Sequence, residues 1–109
     1  IGAAYLERRD AATNGFNRPL RQFSETYAFG DIWARPGLER KTRSMLNLAM
    51  LAATGHPEEL KLHLRGALTN GVTKDEIAEI FLQVGAYAGA PSALEAFRTA
   101  KEVFAELKI

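Results

Sequence analysis

A histidine one helical turn from a carboxylate is the pairing in this chain best suited to chemistry. The run His56-Pro-Glu-Glu59-Leu-Lys-Leu-His63 sets Glu59 and His63 four residues apart, which makes them neighbours on a helix surface. His56 stands further back on the same ridge. Leu60, Leu64 and Ala67 follow one side of that helix, so the pair is expected at the edge of an apolar stripe. An imidazole oriented by a carboxylate beside a hydrophobic wall can move a proton. The same spacing also fits a structural pair, in which Glu59 only satisfies a core-edge histidine and supports the helix by on the order of a few tenths of a kcal/mol. His56, Glu59 and His63 could reach one metal ion. However, these are the only two histidines, and catalytic zinc takes three protein ligands fixed by their surroundings. The reading adopted is metal-free.

A second group is cationic. Arg35, Arg40, Lys41 and Arg43 gather at the start of a helix, where the dipole disfavours positive charge and an anion is welcome. Arg40 and Lys41 read as a solvated turn. Arg43 is followed by Leu46, Asn47 and Met50 at three, four and seven residues, which turns it toward an apolar side. A half-buried guanidinium needs a carboxylate, from protein or substrate. Trp33 and Tyr87 are either packing residues or pocket walls, and Gly85, Gly89 and Ala90 around Tyr87 imply close helix approach or room for a small ligand.

Composition narrows the class. A chain of 109 residues reads as one domain, residues 1–109, able to bury roughly two-thirds of its unfolded surface. Hydrophobic residues at 47% and charged residues at 25% are ordinary for a globular protein. With 14 basic against 13 acidic side chains, a general nucleic-acid or acidic-membrane binder is not expected. No apolar run approaches the roughly 20 residues of a membrane span, and no signal-peptide pattern opens the chain, so the cytoplasm is the expected compartment. There is no cysteine, which excludes disulfides, thiolate metal sites and thiol redox chemistry.

The elements that must carry these residues are helical throughout. No segment alternates apolar and polar residues as a half-buried strand does. Six helices are expected, forming an all-α bundle. The first covers about residues 3–13, closed by Asn14-Gly15. The second opens at Asn17-Arg-Pro19 and runs to about residue 29, and residues 30–37 form a loop. The third, about 39–54, is apolar nearly all round from Met45 onward, so it is either central or covered by another subunit. The fourth opens at His56-Pro57 and stops at Asn70-Gly71. Thr73-Lys-Asp-Glu76 is a capping-box pattern that starts the fifth. The sixth follows Pro91 to the end.

Taken in order, these blocks resemble the carboxymuconolactone decarboxylase family. The run Gly-Asp31-Ile-Trp33-Ala-Arg35-Pro-Gly-Leu38 is followed by Arg40-Lys-Thr-Arg43-Ser. Then come Glu59-Leu-Lys-Leu-His63-Leu-Arg-Gly-Ala, Asn70-Gly-Val-Thr-Lys-Asp-Glu76-Ile and Gln83-Val-Gly-Ala-Tyr87-Ala-Gly-Ala-Pro91. The resemblance covers about residues 20–107; residues 1–17 depart from the family pattern. It implies the alkylhydroperoxidase-D-like helical fold, assembled as a homo-oligomeric trimer or hexamer. Members of that wider group with peroxidase activity carry a Cys-x-x-Cys pair and a histidine where this chain has His56, Glu59 and His63, so thiol peroxidase activity is not expected.

The activity implied is cofactor-free decarboxylation of 4-carboxymuconolactone, a dicarboxylate lactone, to the β-ketoadipate enol-lactone in protocatechuate breakdown. His63 would then supply the proton and Glu59 would orient it. Arg43 and Arg35 would hold the substrate, and Trp33 and Tyr87 would wall the pocket. Two other readings are a family member acting on another small lactone or keto acid, and a non-catalytic oligomerising subunit.

Overall fold

The computed structural model describes residues 11–24 and 30–109. Among them are five helices and no strand: α1 Arg18–Ser24, α2 Arg40–Thr54, α3 Pro57–Thr69, α4 Lys74–Ala88 and α5 Ala90–Leu107. The chain is all-α, as its punctuation predicts. The helix expected over 3–13 falls mostly outside the described residues, but its Ala11 and Ala12 are helical. The end of the second expected helix also falls outside them. Residues 30–32, expected as loop, form a wide helical turn instead. No helix among the described residues is long and apolar enough to cross a membrane.

The chain divides into two compact units, 1–40 and 41–109. In the first, Asn14 and Asn17 build the entry to α1. The Asn14 Oδ1 accepts from the backbone N–H groups of Phe16 (2.9 Å) and Asn17 (3.1 Å), and the Asn17 Oδ1 accepts from the Asn14 N–H at 2.7 Å. Short amide side chains compete for backbone donors in this way and so mark helix starts.

The second unit holds a core of Leu48, Ala52, Leu60, Leu64, Ala67, Val72, Ile77, Phe81, Val84, Ala96, Ala100 and Val103. These recur every three or four residues, so each helix turns one stripe inward. Helix α5 packs on both α4 and α3 and is the hub. Of the two expectations for the third helix, central or covered by another subunit, the first does not hold among the described residues, because α2 buries only the stripe Ser44, Leu48 and Ala52. Leu46 and Met50 stay about half exposed, at 47% and 56%. The apolar excess that suggested a buried helix is therefore split between the core and the chain's own surface.

Junctions are short and specific. The Thr73 Oγ1 accepts from the Glu76 N–H at 3.1 Å and the Glu76 Oε1 accepts from the Thr73 N–H at 2.9 Å, a reciprocal capping box. Gly89 ends α4 and starts α5 by itself. Its φ of 102° and ψ of 152° lie where a side chain is strained, so one residue reverses the chain. Just before it, a Cβ built on Gly85 would stand 3.0 Å from the Ala93 Cβ, so α4 and α5 meet almost backbone to backbone. Both buried hydroxyls among the described residues are satisfied. Ser44 accepts from the Asn70 Nδ2 at 3.0 Å, and Thr99 donates to the Glu95 carbonyl at 2.9 Å.

Candidate active site

Helix α3 positions the histidine. Pro57 fits its first turn because it has no N–H to leave unsatisfied there, and Glu58 and Glu59 place negative charge at the dipole's positive end. The buried stripe Leu60, Leu64 and Ala67 fixes the rotation of the helix. His63, next to that stripe, is half-buried while Glu59 stays exposed.

Burial pushes the His63 pKa below its ordinary value, because the imidazolium loses water, and the nearby Glu59 carboxylate pulls it back up. Among the described residues no hydrogen bond or ion pair joins the two side chains. Glu59 thus reaches the imidazole as a charge, in place of the direct orienting contact the spacing suggests. His56 caps α3 through its backbone, its carbonyl accepting from the Leu60 N–H at 2.9 Å, and its own side chain is exposed. No group of three or more His, Asp or Glu side chains gathers as a metal site among the described residues, so His56, Glu59 and His63 do not converge.

The remaining expected residues occupy different settings. Arg43 is half-buried on α2 with its Nε atom enclosed. It lies beside Asn47, on the side of α2 that carries exposed Leu46 and Met50. Tyr87, in the last turn of α4, is 80% exposed. Trp33 is half-buried and Arg35 exposed in the first unit, where the Arg35 N–H donates to the Ile32 carbonyl at 3.1 Å.

Two features escaped the sequence reading. Gly66 stands three residues beyond His63, and a Cβ there would meet nothing within 4 Å, so the helix surface beside the imidazole is open. Glycine spacing could have signalled this. Lys41, expected to be solvated, pairs with Glu76 at 3.1 Å. Glu76 is held below the usual carboxylate range by the Thr73 N–H and then by Lys41.

Open grooves flank α4 on two sides. One, of about 510 Å³, runs along Met45, Leu46, Ala49 and Ile80 with Asp75, Glu76 and Glu79 at its rim. The other, of about 560 Å³, lies between α4 and α5. Neither is lined by His63, Arg43 or Tyr87.

A helical unit without thiols, carrying a half-buried imidazole and a half-buried guanidinium, defines a class that comparison makes definite. The chain belongs to the carboxymuconolactone decarboxylase family, whose pattern matches residues 19–102. It is 42% identical over 109 residues to the 4-carboxymuconolactone decarboxylase of Acinetobacter baylyi, covering 100% of this chain and 81% of that protein. It is also 42% identical over 96 residues to a nitrosuccinic acid decarboxylase of Metarhizium robertsii, covering 88% of this chain and 67% of that protein. A third relative, an uncharacterized 15.0 kDa protein of Paracoccus denitrificans, is 38% identical over 80 residues, 72% of this chain and 60% of its own length.

Proposed function

We propose that this chain is a carboxy-lyase that converts 4-carboxymuconolactone to the β-ketoadipate enol-lactone in protocatechuate catabolism, with His63 as the proton donor. The observation that carries this reading is the likeness to a named 4-carboxymuconolactone decarboxylase along all 109 residues, in a chain whose α3 holds a half-buried imidazole under the influence of a carboxylate.

The ring-oxygen carbon of this lactone bears a carboxylate and a carboxymethyl group. Breaking the bond to the carboxylate releases carbon dioxide and leaves its electron pair on the ring carbon. That pair is conjugated through the ring double bond to the lactone carbonyl, so the substrate carries its own electron sink and the reading needs no cofactor. The protein has to orient the lactone, stabilise charge on the carbonyl oxygen and protonate the ring carbon next to that carbonyl. His63 delivers the proton and recovers it from water. Glu59 favours the imidazolium against the cost of burial. Arg43 and Arg35 would hold the surviving carboxylate or the carbonyl oxygen, and Trp33 and Tyr87 would supply apolar wall.

His63→Ala and Arg43→Ala should each lower turnover of 4-carboxymuconolactone, followed by ultraviolet absorbance, by about tenfold to a hundredfold. Normal turnover by His63→Ala removes the assignment.

One observation favours a second substrate. The nitrosuccinic acid decarboxylase is as similar, at 42%. Nitrosuccinate is also a dicarboxylate whose nitro group can accept the electron pair left by carbon dioxide. Both reactions ask the protein for a carboxylate clamp and a proton, so nitrosuccinate belongs beside the lactone in the assay. The same reading extends to assembly and compartment. It is a single family domain over residues 1–109, a cytoplasmic homo-oligomer of three or six copies, in which exposed Leu46, Met50 and Leu82 meet a neighbouring copy.

A further inference from the structure

The groove between α4 and α5 has a lining unlike that of its neighbour. Its floor is Ile77, Ala100, Phe97 and Phe104, and its charged residues are Lys74 and Lys101, with no carboxylate side chain. Two acidic residues of α5 are paired away from the groove. On α5, Glu102 pairs with Lys61 at 3.1 Å and Glu106 pairs with Arg65, both on α3. On α4, Asp75 and Glu76 line the other groove. Neither Lys74 nor Lys101 forms an ion pair among the described residues. Lys74 instead holds its Nζ 5.2 Å from the centre of the Phe104 ring, a cation–π contact that keeps the ammonium over the apolar floor.

An apolar trough whose only charged side chains are Lys74 and Lys101, with Ile109 also in its lining, matches one kind of small molecule, a hydrocarbon body ending in an anion. At about 560 Å³ it lies within the size range of ligand pockets. We propose that this groove binds an amphipathic monocarboxylate, its chain lying along Ile77, Ala100 and Phe104 and its carboxylate meeting Lys74 and Lys101. The site shares no residue with the His63 region and does not depend on the decarboxylase assignment.

Octanoate is the probe, titrated into the full chain and followed by amide NMR shifts. The largest shifts should fall at Lys74, Ile77, Lys101, Phe104 and Ala105. Octanol, equal in length and uncharged, should bind the wild-type protein roughly tenfold more weakly, and the K74Q/K101Q double variant should bind octanoate roughly tenfold more weakly than wild type. The proposal is overturned if octanol binds as tightly as octanoate, if shifts concentrate at Met45 and Ile80, or if octanoate moves no resonance below its micelle concentration. The octanol comparison uses only the wild-type chain, so it decides the matter even if the double variant fails to fold.

Discussion

At His63 two forces oppose each other, and both leave measurable traces. Burial favours the neutral ring and Glu59 favours the charged one, with burial the stronger. Because the folded pKa lies below the ordinary value of 6.5, the unfolded chain binds this proton more tightly. The contribution of His63 to stability should therefore be constant above about pH 6.5 and be lost as the pH drops through that value toward the folded pKa. In denaturant midpoints measured from about pH 7 to about pH 5, wild type should lose more stability than His63→Gln. Parallel curves would show that burial at this ring does not penalise the imidazolium. A dianion bound alongside should draw the proton back, so the NMR titration of His63 should move upward when a saturating unreactive dicarboxylate is added. An unmoved titration would separate His63 from the substrate. The position of this ring at the margin of the Leu60, Leu64 and Ala67 stripe was legible from helical spacing alone. The side Arg43 shares with Leu46, Asn47 and Met50 was legible from the same spacing; that the core takes the stripe Ser44, Leu48 and Ala52 was not, because a pattern that is apolar nearly all round does not say which side of α2 faces the core.

Helix α4 shows what an element can and cannot declare in advance. Its capping box is written in four letters, Thr73-Lys-Asp-Glu76, and the structure forms both hydrogen bonds. Thr73→Ala should cost about 1 kcal/mol in chemical denaturation, and no loss would mean that α4 is held by packing alone. Its far end is governed by distance. At Gly85 a methyl group would press on Ala93, offsetting the gain of about 1 kcal/mol that alanine usually brings to a helix interior. Gly85→Val should push α4 and α5 apart and destabilise by about 1–3 kcal/mol, partly recovered by adding Ala93→Gly. Gly85, Gly89 and Ala90 suggested close approach from sequence, and the approach is there. Which partner residue stands opposite could not be read, since it depends on the crossing of two helices. The Lys61–Glu102 and Arg65–Glu106 pairs were hidden for the same reason, as they join α3 to α5 across about forty residues of chain.

For the whole molecule, all-helical architecture was fixed by punctuation and period, while the helix at its hub was not. Sequence left α2 either central or covered by another subunit, and among the described residues α5 is the helix packed on two others. Buried and surface apolar residues should consequently respond differently to truncation. Phe81, fully enclosed, should cost about 3–5 kcal/mol as Phe81→Ala. If Leu46 and Met50 form the proposed subunit contact, Leu46→Glu with Met50→Glu should keep native helicity by circular dichroism and reduce the sedimenting mass, and an unchanged mass would count against that contact. Those exposed side chains are sticky for as long as the chain is incomplete. The single-residue reversal at Gly89 shortens that interval, because each half of the α4–α5 hairpin finds its partner next along the chain and need not search for it. Local pairing of this kind speeds folding, which leaves newly made copies little time to adhere to one another in the wrong register.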